Sequence, residues 1–217
     1  QHVLKQSLFE KLFTSLPKME IDQPAARVVT LRDQFRMHPA LGQFVSDTFY
    51  APYGEQFRSP RPASEFRHNL PDYQSAGRPV YAAWKHLGQE RGSEVSGRSK
   101  KRPCEAAWIA AEVKRLLAEG DLHLSVGVIT FYLAQKNEIL ECLLKEGVAE
   151  RDSDTGEIGI KQEYRTVQTE DGRLEERLRV GTVDSFQGKE FDIVFLSVTR
   201  SNELAADKEE DRRRKYG

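Results

Sequence analysis

Strands that alternate with amphipathic helices predict an α/β fold, a mostly parallel sheet with helical cover on both faces. Three observations carry this expectation. Residues 125–131, Ser-Val-Gly-Val-Ile-Thr-Phe, read as a largely apolar strand. From Pro103 onward, Ala106, Ile109, Ala110, Val113, Leu116 and Leu117 recur at helical spacing. A further apolar run, 193–196, follows the polar turn Asp184-Ser185-Phe186-Gln187-Gly188-Lys189-Glu190. Glycine-bearing charged loops at the end of a central strand are where α/β proteins place groups that meet ligands.

The remaining elements follow in order. Leu4, Leu8, Leu12, Phe9 and Phe13 predict a helix over 4–16 that closes before Pro17. Residues 27–31, Arg-Val-Val-Thr-Leu, read as a short strand. Pro39 suits the first turn of a helix over 39–49, with Leu41, Phe44, Val45 and Phe49 on its apolar face. Residues 51–78 and 86–102 are polar and aperiodic, so both are expected to be surface excursions, with a strand at 80–84 between them. The helix from Pro103 should stop at Gly120, and a second helix over 133–146 should stop at Gly147. Polar alternation over 150–178, with Asp171-Gly172 as a two-residue turn, predicts a protruding β-hairpin insertion. Strands over 178–184 and 192–199 follow, separated by the polar turn.

Composition narrows the function. The 217 residues suffice for one good-sized core, and 38% hydrophobic content speaks for a folded domain. The net charge is only −1, so any nucleic-acid contact must come from a local basic face. Two basic runs, 98–102 and 212–215, read first as solvated loops. Two cysteines without CxxC spacing exclude a disulfide framework and fit a reducing, intracellular compartment. Five scattered histidines predict no metal site. No apolar stretch reaches membrane-spanning length and no signal peptide opens the chain, whose start without Met predicts a piece of a longer protein.

No phosphate-binding loop of the form G-x-x-x-x-G-K-[ST] is present. Residues 92–99 have the spacing, but Arg98 stands in place of lysine and no strand leads in. The stretch from Gly181 to Lys189 is too long and ends in Glu190. No apolar strand ends in a paired Asp-Glu that would hold magnesium. The segment Gln34-Phe35-Arg36-Met37-His38-Pro39, between a strand and a helix, is of a different kind. Arginine stabilises charge on a transferring γ-phosphoryl group, because its planar fork binds two oxygens and stays protonated.

With both segments in hand, the chain resembles the second motor domain of superfamily 1 helicases, a RecA-like P-loop-NTPase-type domain. The branch is that of the nonsense-mediated-decay helicase and senataxin. Residues 34–39 match motif IV, Q-[YF]-R-M-H-P, and 183–202 match motif V, VDxFQGxExDxxxxSxxRxN. Residues 6–12 are similar to the helix before motif IV, and 129–135, Ile-Thr-Phe-Tyr-Leu-Ala-Gln, to the T-P-Y-x-x-Q element that meets the strand.

The resemblance implies one RecA-like domain over 1–217, cut before motif VI, in an ATP-dependent DNA or RNA helicase of 5′ to 3′ polarity. It implies that Arg36 is an arginine finger, that Phe35 stacks near adenine, and that Gln34, Gly188 and Glu190 belong to the ATP side. Thr130, Tyr132, Gln135, Thr182, Asp184 and Gln187 would meet single-stranded nucleic acid. ATP and Mg2+ would be held mainly by a first RecA-like domain of the same polypeptide, the chain's main partner besides the strand, and the segment alone would be inactive. Phe131 departs from the pattern by replacing proline. The competing expectation is a non-catalytic, degenerate RecA-like module that binds nucleic acid or protein.

Overall fold

The computed structural model describes residues 7, 8, 11, 12, 14, 15, 31–66, 68, 70–75, 78, 79, 81–87, 95, 99–119, 124–168, 172–202 and 208–216. Residues 27–30 of the strand expected at 27–31, Gly120, Asp171 and most of 92–99 lie outside them. Contacts divide the chain into two units, Gln1–Phe66 and Arg67–Gly217, each described by itself.

In the first unit, Leu8, Lys11, Leu12, Thr14 and Ser15 are helical, and Leu8 and Leu12 are exposed. Helix α1 (Pro39–Val45) opens on proline, and His38 caps it by accepting the Ala40 N–H on Nδ1 at 3.1 Å. Burial lowers the His38 pKa, which keeps the imidazole neutral and able to accept. A wider π turn, Ser46–Tyr50, continues it. The apolar face expected on this helix is not buried as such: Phe44 and Phe49 are exposed and meet edge to face. Gly42 and Ser46 are the buried positions.

The second unit holds the main core. Its first strands, β1 (Gln74–Ser75) and β2 (Arg78–Pro79), form a short antiparallel pair. The strand expected at 80–84 does not form at 81–84, where Trp84 is exposed. The excursion before it is pinned instead. Leu70 is buried, and Tyr73 donates to Glu112 at 2.6 Å. Burial and that carboxylate push the Tyr73 phenol up to about 12, so it remains the donor.

Helix α2 (Pro103–Glu119) and helix α3 (Leu133–Lys145) bracket β3 (Val126–Thr130) in sequence. Gly147, with φ 77°, ends the α3 turn as its sequence implies. Two short antiparallel pairs then replace the single hairpin expected over 150–178. Strand β4 (Ala149–Arg151) pairs with β5 (Ile158–Ile160); after the one-turn helix α4 (Gln162–Arg165), β6 (Thr166–Gln168) pairs with β7 (Leu174–Glu176). Ala149 joins the core, and Ile158, Ile160 and Tyr164 pack against it, so the first pair is anchored rather than protruding.

Strands β8 (Leu178–Thr182) and β9 (Ile193–Ser197) flank β3, both parallel to it. The fold is therefore α/β with a parallel sheet flanked by helices, and β3 is its central strand. Val126, Val128 and Leu178 bury against Ile109, Val113, Ile139 and Leu143, so both long helices pack on one face among the described residues. The 212–215 basic run lies in helix α5 (Glu209–Tyr216), not in a loop.

The opposite face is governed by the link between β8 and β9. Thr182 pairs with Thr130 at one end of β3, while Ile193 pairs with Val126 at the other. Residues 183–192 must return along the sheet, and they do so across Gly127. A Cβ at Gly127 would lie 2.9 Å from both Phe186 and Phe191, whose rings are 5.5 Å apart. Asp192 locks the return: it accepts the Ser125 N–H at 2.8 Å and hydroxyl at 2.6 Å. Gly127→Ala is therefore expected to cost about 1–3 kcal/mol through overpacking. Gly159→Ala, whose Cβ would meet only Arg165 Nη2 at 4.0 Å, should stay within about 0.5 kcal/mol in the same urea unfolding series.

Candidate functional site

The loop before α1 is organised by one side chain. Gln34 Oε1 accepts the N–H groups of Arg36 at 3.1 Å and Met37 at 2.7 Å. Its Nε2 donates to Met37 O at 2.9 Å and Ser59 Oγ at 2.6 Å. A Cβ on Gly42 would collide with Ser59 Oγ and with Gln34 Nε2, so the bare helix position is what admits this clamp. Arg61 adds a bond from Nη1 to Phe35 O at 2.9 Å and lies over the Phe66 ring. With the backbone held from within, Phe35 and Arg36 are exposed.

In the second unit, the loop after β8 begins with the tight turn Val183–Phe186. Phe186 is buried and serves as its anchor. Ser185 Oγ donates to Thr182 O at 2.7 Å, and Arg179 donates to Ser185 O at 3.0 Å. Gly188 adopts φ 76°, a left-handed conformation that costs glycine little. Thr182 is half-buried, whereas Asp184, Gln187, Gly188, Lys189 and Glu190 are exposed. Glu176 receives both Arg179 and Lys189, tying the turn back to β7.

At the carboxyl edge of β3 the expected strand-contact residues separate into two kinds. Thr130 and Gln135 are fully buried, each 0% exposed, and present no side chain to solvent. Gln135 accepts the Arg102 N–H at 2.7 Å and donates to Ser197 Oγ at 3.0 Å. Tyr132 is half-buried and accepts from Arg200 at 3.5 Å.

Beneath them lies a residue that carries no local signal of its role. Glu105, in the first turn of α2, reads in sequence as an ordinary acid favoured by the helix dipole. It accepts Ser197 Oγ at 2.7 Å and the Thr199 N–H at 3.1 Å, and pairs with Arg102 at 3.4 Å. Thr199 sits at φ 70°, an outlier for a β-branched residue, in a three-residue turn closed by Arg200 N–H on Val198 O at 2.7 Å. The basic run at 98–102 is partly absorbed here: Arg102 pairs with Glu105 and Lys101 with Glu138.

Among the described residues, no group of three or more His, Cys, Asp or Glu could hold a metal, and no helix is long and apolar enough to cross a membrane. Glu105→Ala leaves the Ser197 hydroxyl and the strained Thr199 amide without their acceptor, so unfolding stability should fall by about 1–3 kcal/mol. Glu105→Gln keeps an acceptor oxygen for both and should lose less in the same thermal melts.

The AAA domain family model matches residues 4–214. The chain is 31% identical over 200 residues to the regulator of nonsense transcripts 1 homolog of Neurospora crassa, covering 92% of this chain and 15% of that protein. The Arabidopsis thaliana homolog is 31% identical over 204 residues, with 92% and 13% covered. The ATP-dependent helicase NAM7 of Saccharomyces cerevisiae is 29% identical over 203 residues, with 94% and 18% covered. The chain thus spans less than a fifth of the length of each of these relatives. Both loops and the carboxyl edge of the sheet lie within the family match, and the chain belongs to the AAA domain family.

Proposed function

We propose that this chain is the second motor domain of an ATP-dependent helicase or translocase acting on single-stranded nucleic acid. It supplies the arginine that stabilises the transferring γ-phosphoryl group. The observation that supports this most is the loop at 34–38, where Gln34 holds the backbone from inside while Phe35 and Arg36 are exposed. A guanidinium so placed binds two phosphate oxygens and stays protonated, and the Phe35 ring offers a face to adenine. With both ends of its amide engaged, Gln34 acts on the nucleotide through the loop it shapes.

In the second unit, Gly188 and Glu190 serve the nucleotide side of the exposed turn, and Thr182, Asp184 and Gln187 serve the strand side together with Tyr132. Thr130 and Gln135 act as positioning residues under that surface. ATP brings the phosphoryl chemistry, with Mg2+ held mainly by a first RecA-like domain of the same polypeptide. Closure between two such domains on binding, and reopening after hydrolysis, moves the strand. The names of the relatives, an ATP-dependent helicase and regulators of nonsense transcripts, agree with ATP and with RNA. Cys104 and Cys142 are not joined in a disulfide, which fits an intracellular setting.

The test is ATP turnover by the full-length polypeptide that carries this chain, with and without single-stranded RNA or DNA. Arg36→Ala should lower strand-stimulated kcat by about a thousandfold or more, with nucleotide-free strand binding unchanged. Undiminished turnover would remove Arg36 from the reaction. Absence of any strand-stimulated turnover in the unsubstituted protein would favour the non-catalytic binding module. The 217 residues alone, lacking G-x-x-x-x-G-K-[ST], are expected to hydrolyse no ATP.

A further inference from the structure

We propose that Glu176 is a positioning residue that couples the nucleotide side of the 183–190 turn to its strand side. The inference rests on the motor function proposed above. Glu176 ends β7, outside the 183–202 pattern, and its carboxylate reaches the turn at two places. Arg179 Nε donates to both Glu176 oxygens at 2.8 Å, and Arg179 Nη1 donates to Ser185 O at 3.0 Å. Lys189 Nζ lies 3.5 Å from Glu176 Oε2. Between these attachments stand Gln187, on the strand side, and Gly188, on the nucleotide side; Glu190 follows directly. One acid thus brackets residues that serve two different ligands.

The carboxylate is presented from a fixed point. Only Arg177 separates β7 from β8, and it is buried. Its N–H donates to Arg165 O at 2.9 Å, and its carbonyl accepts the Val126 N–H at 2.7 Å. Its Nη2 donates to Leu117 O at 3.2 Å, in the last turn of α2, where a cation suits the negative end of the helix dipole. The junction is therefore bound to α4, to β3 and to α2 at once. The turn itself is packed more openly. A Cβ on Gly188 would meet nothing within 4 Å, and the Lys189 side chain is 46% exposed. Phe186 holds the turn from below, and Glu176 holds it from the side. Ion pairs this exposed add little to folding stability. A fixed carboxylate on an openly packed turn acts instead on where the turn sits, and so on how a ligand at one side is felt at the other.

The experiment measures affinity of the full-length polypeptide for a short fluorescent single-stranded oligonucleotide, RNA or DNA, with and without a non-hydrolysable ATP analogue. The ratio of the two affinities reports the coupling between the sites. Glu176→Ala should bring that ratio toward one by a factor of about two or more, while the melting temperature moves little. Glu176→Gln keeps an acceptor for Arg179 but no charge for Lys189, and its ratio should fall between the two. In a protein already carrying Arg179→Ala and Lys189→Ala, adding Glu176→Ala should change the ratio no further, because both contacts are gone. A further change there overturns the assignment. An unaltered ratio in Glu176→Ala, even with both affinities lowered, leaves only a structural role and overturns it as well. Absence of any nucleotide effect on strand binding by the unsubstituted protein overturns the coupling together with the motor function beneath it.

Discussion

Two parallel strands on opposite sides of a third cannot be joined by a tight turn, and residues 183–192 meet that constraint without an α-helix. The chain leaves β8 beside Thr130 and must re-enter the sheet beside Val126, so it has to pass over the face of β3. It passes at the one position where β3 has no side chain, Gly127, and the space is filled by Phe186 and Phe191. This contact buries the anchor of the loop and leaves the segment from Gln187 to Glu190 exposed. The exposed turn is thus a by-product of how the chain returns, and its position is as fixed as the strand beneath it.

A second constraint acts at the carboxyl edge. There Glu105, Ser197, Gln135, Arg102 and Thr199 satisfy one another's polar groups in a buried setting, where an unmet donor or acceptor is costly. The network joins the first turn of α2, the first turn of α3 and the end of β9. It also holds Thr199 in a backbone conformation that a β-branched residue avoids on its own. Strain of that kind persists only when its surroundings over-determine it, and here two hydrogen bonds to one carboxylate do so. The groups at the surface, Phe131, Tyr132 and Arg200, inherit their placement from it.

The same division between a holding residue and a presented one recurs in the first unit. Gln34 bonds to the loop that carries Phe35 and Arg36, and Gly42 makes room for its partner Ser59. In both units a polar side chain with no exposed chemistry sets the geometry of a neighbour that has it. Glutamine suits this work because its amide donates and accepts at once, where a carboxylate only accepts.

Much of this was legible in sequence. The stripe from Ala106 to Leu117 and the apolar runs of β3 and β9 determined the elements, because a helix or strand buries one face at a fixed period. The spacing of residues 34–39 and 183–202 marked both loops, Gly188 marked the turn in the second, and Gly147 marked the end of α3. Periodicity over a few residues, however, describes only local neighbours. It could not show that 150–178 forms two antiparallel pairs, since strand pairing depends on which edge the core leaves open. Nor could it separate Thr130 and Gln135, buried, from Tyr132 and Phe131, presented. That distinction rests on bonds such as Glu105 to Ser197 and Gln135 to Ser197, between residues far apart in the chain. The sequence by itself determined the element types and the chemistry available at each loop. Which of those groups face solvent was decided only when the sheet closed, because burial of a polar side chain is possible only where distant partners arrive to satisfy it.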